Sequence, residues 1–224
     1  MHSYLSSISQ QFQQNAHEEN AAGAKAYLLH QFEFYGLKTP LRRTLSKTHY
    51  KQFPVDSLKE LETIAKECWA LPQREYQYFA VELISHNKKL WKPSLIKTVE
   101  HLITHKSWWD SVDHIASEIL SDYFKLFPEQ IIPITSKWNK SDNMWLQRSS
   151  IMFQKAYKKN TDTELLSKYI LHCKDSKEFF IRKAIGWALR EYSKTNASWV
   201  KKFVKENKLN ALSEREALKR INKS

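Results

Sequence analysis

Glycine is nearly missing from this sequence, at three positions in 224 residues. Sheets and dinucleotide-binding folds need far more turn punctuation than that, so both are set aside. Proline occurs six times, mostly where a helix would begin or turn. The two cysteines, Cys68 and Cys173, lack the paired spacing of a metal or redox motif, which excludes a disulfide framework and fits a reducing cytoplasm. No apolar run approaches the roughly 18 residues a membrane span needs. The opening Met1-His2-Ser3-Tyr4 leads straight into an amphipathic pattern, without the basic and apolar regions of a secretion signal. Glycine-rich phosphate loops and a Gly-x-Ser-x-Gly nucleophile motif are absent too. Acidic residues are in deficit, 24 against 36 Lys and Arg, for a net charge of +12. Such an excess serves solubility, or it makes a phosphate-tracking surface whose binding weakens steeply with salt. What the chain has in quantity is apolar and aromatic bulk: 42% hydrophobic residues, with Trp 8, Tyr 10 and Phe 11. A sizeable core is available, and the composition reads as nearly all helical.

Four helical segments align on charged openings: Arg74 to Ala80, Asp110 to Ala116, Arg148 to Gln154 and Arg182 to Ala188. Their anchors lie 110−74 = 36, 148−110 = 38 and 182−148 = 34 residues apart. A bulky apolar residue follows each anchor by five places (Phe79, Ile115, Phe153, Trp187), and aromatic residues precede it. Between them, Pro93 to His105, Pro128 to Trp138 and Asp162 to Cys173 carry apolar residues at helical spacing behind a Pro or Asp suited to a helix start. A period in the mid-thirties with two helices per unit marks a HEAT- or TPR-like solenoid. An ordinary helical bundle is the competing reading. The solenoid reading makes residues 1–224 a single HEAT-like repeat domain, an all-α, right-handed α-solenoid. Its second helices would line a concave basic groove, where the anchor positions converge.

The segment Ser107-Trp108-Trp109-Asp110-Ser111-Val112-Asp113 holds two indoles and two carboxylates within about two helical turns. Trp109 and Asp113 are four residues apart and share a face. Val112, Ile115 and Ile119 define the buried stripe, and Asp113 points well away from it. An aromatic plane beside a carboxylate, both turned from the core, suits a flat, cationic or sugar-like partner. Asp110 either reinforces the negative field or caps the helix, and Trp108 packs between repeats.

That segment, with Ser141-Asp142-Asn143-Met144-Trp145-Leu146-Gln147-Arg148 and the stretch from Ser176 to Tyr192, resembles the HEAT-repeat DNA alkylation-repair glycosylases, the AlkD-type family. Leu71 to Gln77 and Leu212 to Ala217 fit the same pattern, so the resemblance spreads over most of the chain in the family's order. Ala197 departs from it, where proline is expected after Thr195-Asn196. The resemblance implies hydrolysis of the N-glycosidic bond of N3- or N7-alkylated purines in double-stranded DNA, leaving an abasic site for base excision repair. The implied catalytic set is Asp113, Trp109 and Trp187. Asp113 would stabilise the sugar cation and orient water, between aromatic walls. Periodicity alone places Trp187 in the core with Phe79, Ile115 and Phe153; the family pattern makes it a wall. Arg148, which opens its helix, is the expected phosphate or sugar contact in the groove. Arg74, Arg182, Lys183 and Arg190 are the expected DNA-backbone binders, each alone barely better than an exposed charge.

No cofactor and no metal are expected. His101 and His105 have ligand-like spacing, but no Glu completes a zinc-protease motif and no third ligand stands out. No single lysine stands out as a Schiff-base nucleophile, so a monofunctional, monomeric, cytoplasmic enzyme acting on alkylated double-stranded DNA is expected. The alternative is a non-catalytic HEAT-repeat DNA-binding or scaffold protein.

Overall fold

The computed structural model describes residues 2–223. Among them all regular structure is helical, as the all-α solenoid expectation requires, and one isolated bridge joins Glu33 and Gln73. The described residues contain no helix long and apolar enough to cross a membrane. The chain divides between Lys106 and Ser107 into two compact units.

The first unit holds α1 (Ser3–Gln14), α2 (Glu18–Tyr27), α3 (Thr39–Gln52), α4 (Leu58–Ala70), α5 (Arg74–His86) and α6 (Leu95–Thr104). Leu5, Ile8, Phe12, Leu61, Ile64 and Phe79 fill its core. Glu75 is buried in it, and its carboxyl oxygens accept hydrogen bonds from the backbone N–H groups of Tyr35, Gly36 and Leu37 at 2.9–3.2 Å. Burial of a polar group is tolerated when its lone pairs are satisfied in this way. Only glycine fits at Gly36, where φ is +88° and a Cβ would lie 2.2 Å from the carbonyl oxygen of His17.

The second unit holds α7 (Trp109–Ile115), α8 (Ser121–Leu126), α9 (Ile131–Asn139), α10 (Met144–Met152), α11 (Thr163–Cys173), α12 (Phe179–Tyr192), α13 (Ala197–Asn207) and α14 (Ala211–Leu218). Helices α7 and α8 are continuous through a π-helical turn at Ala116–Leu120, a feature frequent at functional sites. Here α10 packs between α7 and α12, and α12 packs against α14, so these helices form one row. α9 and α11 pack on α10, and α13 joins α12 and α14. This is the paired-helix layout of a repeat protein.

Side-chain caps fix where the helices start. Asn143 accepts from the N–H groups of Trp145 and Leu146, Asp162 from Leu165, Asn196 from Trp199, and Asn210 from Leu212. Ala197, the departure from the family pattern, is the first residue of α13, where proline is at home. The Asn196 cap supplies the start signal instead. Asp110 does not cap α7: the cap position is Trp108, and Asp110 lies in the first turn, where a negative charge favours the helix dipole. Both cysteines are buried and free.

Candidate functional site

Asp113 projects from the middle of α7, one turn beyond Trp109. Its carboxylate accepts two hydrogen bonds from Arg148 of α10, Nε to Oδ1 at 2.7 Å and Nη2 to Oδ2 at 2.8 Å. Planar fork meets planar carboxylate, the geometry of a strong, directional pair. The Arg148 side chain is only 1% exposed, and its Nη1 donates to the carbonyl oxygen of Phe180 in the first turn of α12. Asp113 keeps 15% of its side chain exposed. One partner is locked inside the packing, and the other is held by it while still facing outward. The stripe expected to bury α7 does so: Val112, Ile115 and Ile119 are inaccessible. Trp109 is half-buried.

The third corner is Trp187 of α12, whose ring lies 5.5 Å from the Arg148 guanidinium. It is half-buried, unlike Phe79, Ile115 and Phe153 in the same repeat position, which are in the core. Three further cations surround the indole: Lys183 at 5.1 Å, Arg190 at 5.6 Å and Lys155 at 5.7 Å. Lys183, Trp187 and Arg190 fall at i, i+4 and i+7, so α12 presents them on one face. Both flanking cations are tied to Glu216 of α14, Lys183 Nζ at 2.9 Å and Arg190 Nη1 at 2.8 Å. Burial pushes the Glu216 carboxyl up, but the Lys183 hydrogen bond and the charges of Lys183, Arg190 and Lys219 outweigh it and hold the group below the usual carboxylate range.

The remaining expected DNA contacts are placed differently. Arg74 is fully buried, with its guanidinium 3.7 Å over the Phe32 ring and a 2.9 Å hydrogen bond to the carbonyl oxygen of Lys106. A residue without exposed surface cannot meet a phosphate in this conformation, so Arg74 leaves the set of DNA contacts and joins the packing. Arg148 is corrected in the same sense. Its guanidinium engages Asp113 and a backbone carbonyl. Arg182 is half-buried and donates to the carbonyl oxygen of Ser176 at 2.8 Å. Lys183 and Arg190 are also half-buried, with 20% and 31% of their side chains exposed. Trp108 packs between repeats, its ring 5.2 Å from Phe180 and 6.1 Å from Trp145. The His101 and His105 rings lie 3.9 Å apart, and no group of three metal-ligating side chains forms among the described residues. A cavity of about 280 Å³ opens beside α12, with Lys155, Lys158, Lys194 and Tyr192 in its lining, but not Asp113, Trp109 or Trp187.

Two residues at the site have no role in the sequence reading, although Glu216 lies in the Leu212 to Ala217 segment that fits the family pattern. Lys155 carries no local signal. Glu216 does: it lies 216−182 = 34 residues beyond Arg182, the same step as the preceding anchor interval, and so continues the series by one repeat.

A family model described as DNA alkylation repair enzyme matches residues 8–221. Among solved structures, a predicted DNA alkylation repair enzyme from Enterococcus faecalis aligns with a TM-score of 0.87 at 33% sequence identity. The alignment covers 93% of this chain and 98% of that one. Comparison with curated proteins gave no match.

Proposed function

The chain belongs to the DNA alkylation repair enzyme family, and from that premise we propose that it is a monofunctional DNA glycosylase acting on N3- and N7-alkylated purines in double-stranded DNA. The observation that carries this reading is a carboxylate, Asp113, fixed by a buried arginine and still open to the outside, in a protein of strongly positive charge. A surface that only bound DNA would gain nothing from an outward carboxylate, which repels phosphate. A reaction that builds positive charge on a sugar does gain from it.

An alkylated purine already carries a positive charge. When its C1′–N bond breaks, the electron pair stays on the base, which leaves neutral without needing a strong acid. The deoxyribose becomes an oxocarbenium-like cation. Asp113 stabilises that cation and orients a water, whose oxygen bonds to C1′ as its proton passes to the carboxylate or to solvent. The faces of Trp109 and Trp187 add cation–π attraction. Arg148 keeps the carboxylate in place through a bidentate pair. Lys183 and Arg190, with Arg182, hold phosphates beside the lesion without reading sequence, as repair of scattered damage requires. The enzyme works as a monomer in the bacterial cytosol, and its only co-substrate is water.

The test is a duplex containing one N7-methylguanine, with a second duplex carrying neutral hypoxanthine as control. The proposal expects free 7-methylguanine, an abasic strand that stays uncleaved until heated in alkali, and no release of hypoxanthine. Strand cleavage that accompanies release, or equal release of the neutral base, contradicts it.

A further inference from the structure

The charges around Trp187 pose a problem for the proposed reaction. Four cations lie 5.1–5.7 Å from the indole, while the substrate base and the transition-state sugar are themselves cationic. Like charges at that separation repel strongly wherever water is partly excluded. Arg148 is matched by Asp113. Lys183 and Arg190 share the single carboxylate of Glu216, which offsets one of their two charges and is 8% exposed.

The delivery of that carboxylate is built into the helix contact. Gly186 stands on α12 between Lys183 and Arg190, at i+3 from the first and i−4 from the second. A Cβ there would lie 2.5 Å from the Glu216 Cβ and 2.8 Å from the carbonyl oxygen of Ser213. Only the missing side chain lets α14 approach closely enough for one carboxylate to reach both cations. The Ser213 hydroxyl donates to the carbonyl oxygen of Arg182 at 2.9 Å and holds α14 in that register. A buried ion pair is weak support for stability, because apolar residues of similar volume often do as well. Two cations gathered on one carboxylate beside the candidate site suit orientation of charge better.

We propose that Glu216 is a positioning residue for base release: it pins Lys183 and Arg190 toward the DNA backbone and cancels enough of their charge for a cationic nucleotide to stand against Trp187. The proposal rests on the glycosylase reading of the site. Removing the carboxylate then has two opposite effects. Freed of their partner, Lys183 and Arg190 pair more fully with phosphates, so binding to DNA becomes more salt-dependent. Base release becomes slower, because those charges are now uncompensated and unfixed.

The experiment compares wild type, Glu216→Gln and Glu216→Asp at a temperature where circular dichroism shows each one folded. It measures single-turnover release of 7-methylguanine and, separately, affinity for undamaged duplex as a function of salt. Glu216→Gln should release base about tenfold more slowly, with a salt slope steeper by about one phosphate contact. Glu216→Asp, which keeps the charge, should recover most of the rate. A merely structural Glu216 lowers the melting temperature but leaves the rate and salt slope of folded protein unchanged. That result overturns the proposal, as does an Asp variant as slow as the Gln variant, or failure of both to fold. A wild type that frees no base removes the glycosylase reading and the catalytic half of this proposal with it. The salt slope of Glu216→Gln on undamaged duplex still decides the charge-compensation half.

Discussion

Arg148 shows how far the partner of a side chain changes its meaning. A guanidinium with 1% of its side chain exposed is no free phosphate clamp; it orients a carboxylate. Removing it leaves Asp113 partly buried without a counter-charge, a class of loss worth about 3 kcal/mol when both groups are deeply buried. Asp113 is partly exposed, so Arg148→Met should lower stability by about 2 kcal/mol in urea denaturation. It should also slow base release by at least tenfold. Arg148→Lys should stay slow, since a point charge does not reproduce the two parallel hydrogen bonds. Glu216 predicts a pH effect. Its carboxyl is held below the ordinary range in the folded chain, so the unfolded chain takes up the proton first as pH falls. Its stabilising contribution is complete above the unfolded value of about 4.3 and is lost as pH falls through the folded value. Urea midpoints of the wild type should therefore fall on the acid side of pH 5, and those of Glu216→Gln should fall less over the same range.

At the level of helices, the close approach of α12 to α14 requires that Gly186 have no side chain. Gly186→Ala introduces a Cβ 2.5 Å from the Glu216 Cβ, so the helices must part. A loss of about 1–3 kcal/mol is expected, as for other overpacked contacts, together with a weakened hold of Glu216 on Lys183 and Arg190. An unchanged urea midpoint in Gly186→Ala would contradict that account. The repeat itself was legible in the sequence because it reuses one inter-repeat contact. Arg74 donates to the carbonyl of Lys106 and Arg148 to that of Phe180, each 32 residues ahead. The buried positions five residues past the anchors were equally legible at Phe79, Ile115 and Phe153. Spacing gave the face of each helix but not the partner across it. Arg74 and Arg148 thus read as groove cations until their carbonyl and carboxylate partners came into view. The π-helical turn at Ala116–Leu120 had no glycine or proline to announce it. Trp187 shares its position with core residues, and periodicity could not separate a half-buried indole from a buried one. Its setting among cations depends on Lys155 and Glu216, which lie 32 and 29 residues away in sequence.

For the whole molecule, an excess of basic residues amounting to +12 should dominate non-specific affinity and make it fall steeply with salt. A slope of log K against log salt near −3 is expected for about three phosphate contacts at roughly −0.9 each. A flat dependence, measured by anisotropy on undamaged duplex, would remove DNA backbone as the partner of that charge. Charge explains binding but not chemistry, and helical-repeat proteins often bind without catalysing anything. The claim that separates an enzyme from a DNA-binding scaffold concerns one carboxylate. The most direct measurement is single-turnover release of 7-methylguanine by wild type and by Asp113→Asn, with duplex affinity measured for both. The account predicts a loss of about a hundredfold in rate, the size expected for removing a preorganised charge that acts on the transition state, with DNA binding retained. Equal rates for the two proteins would contradict it.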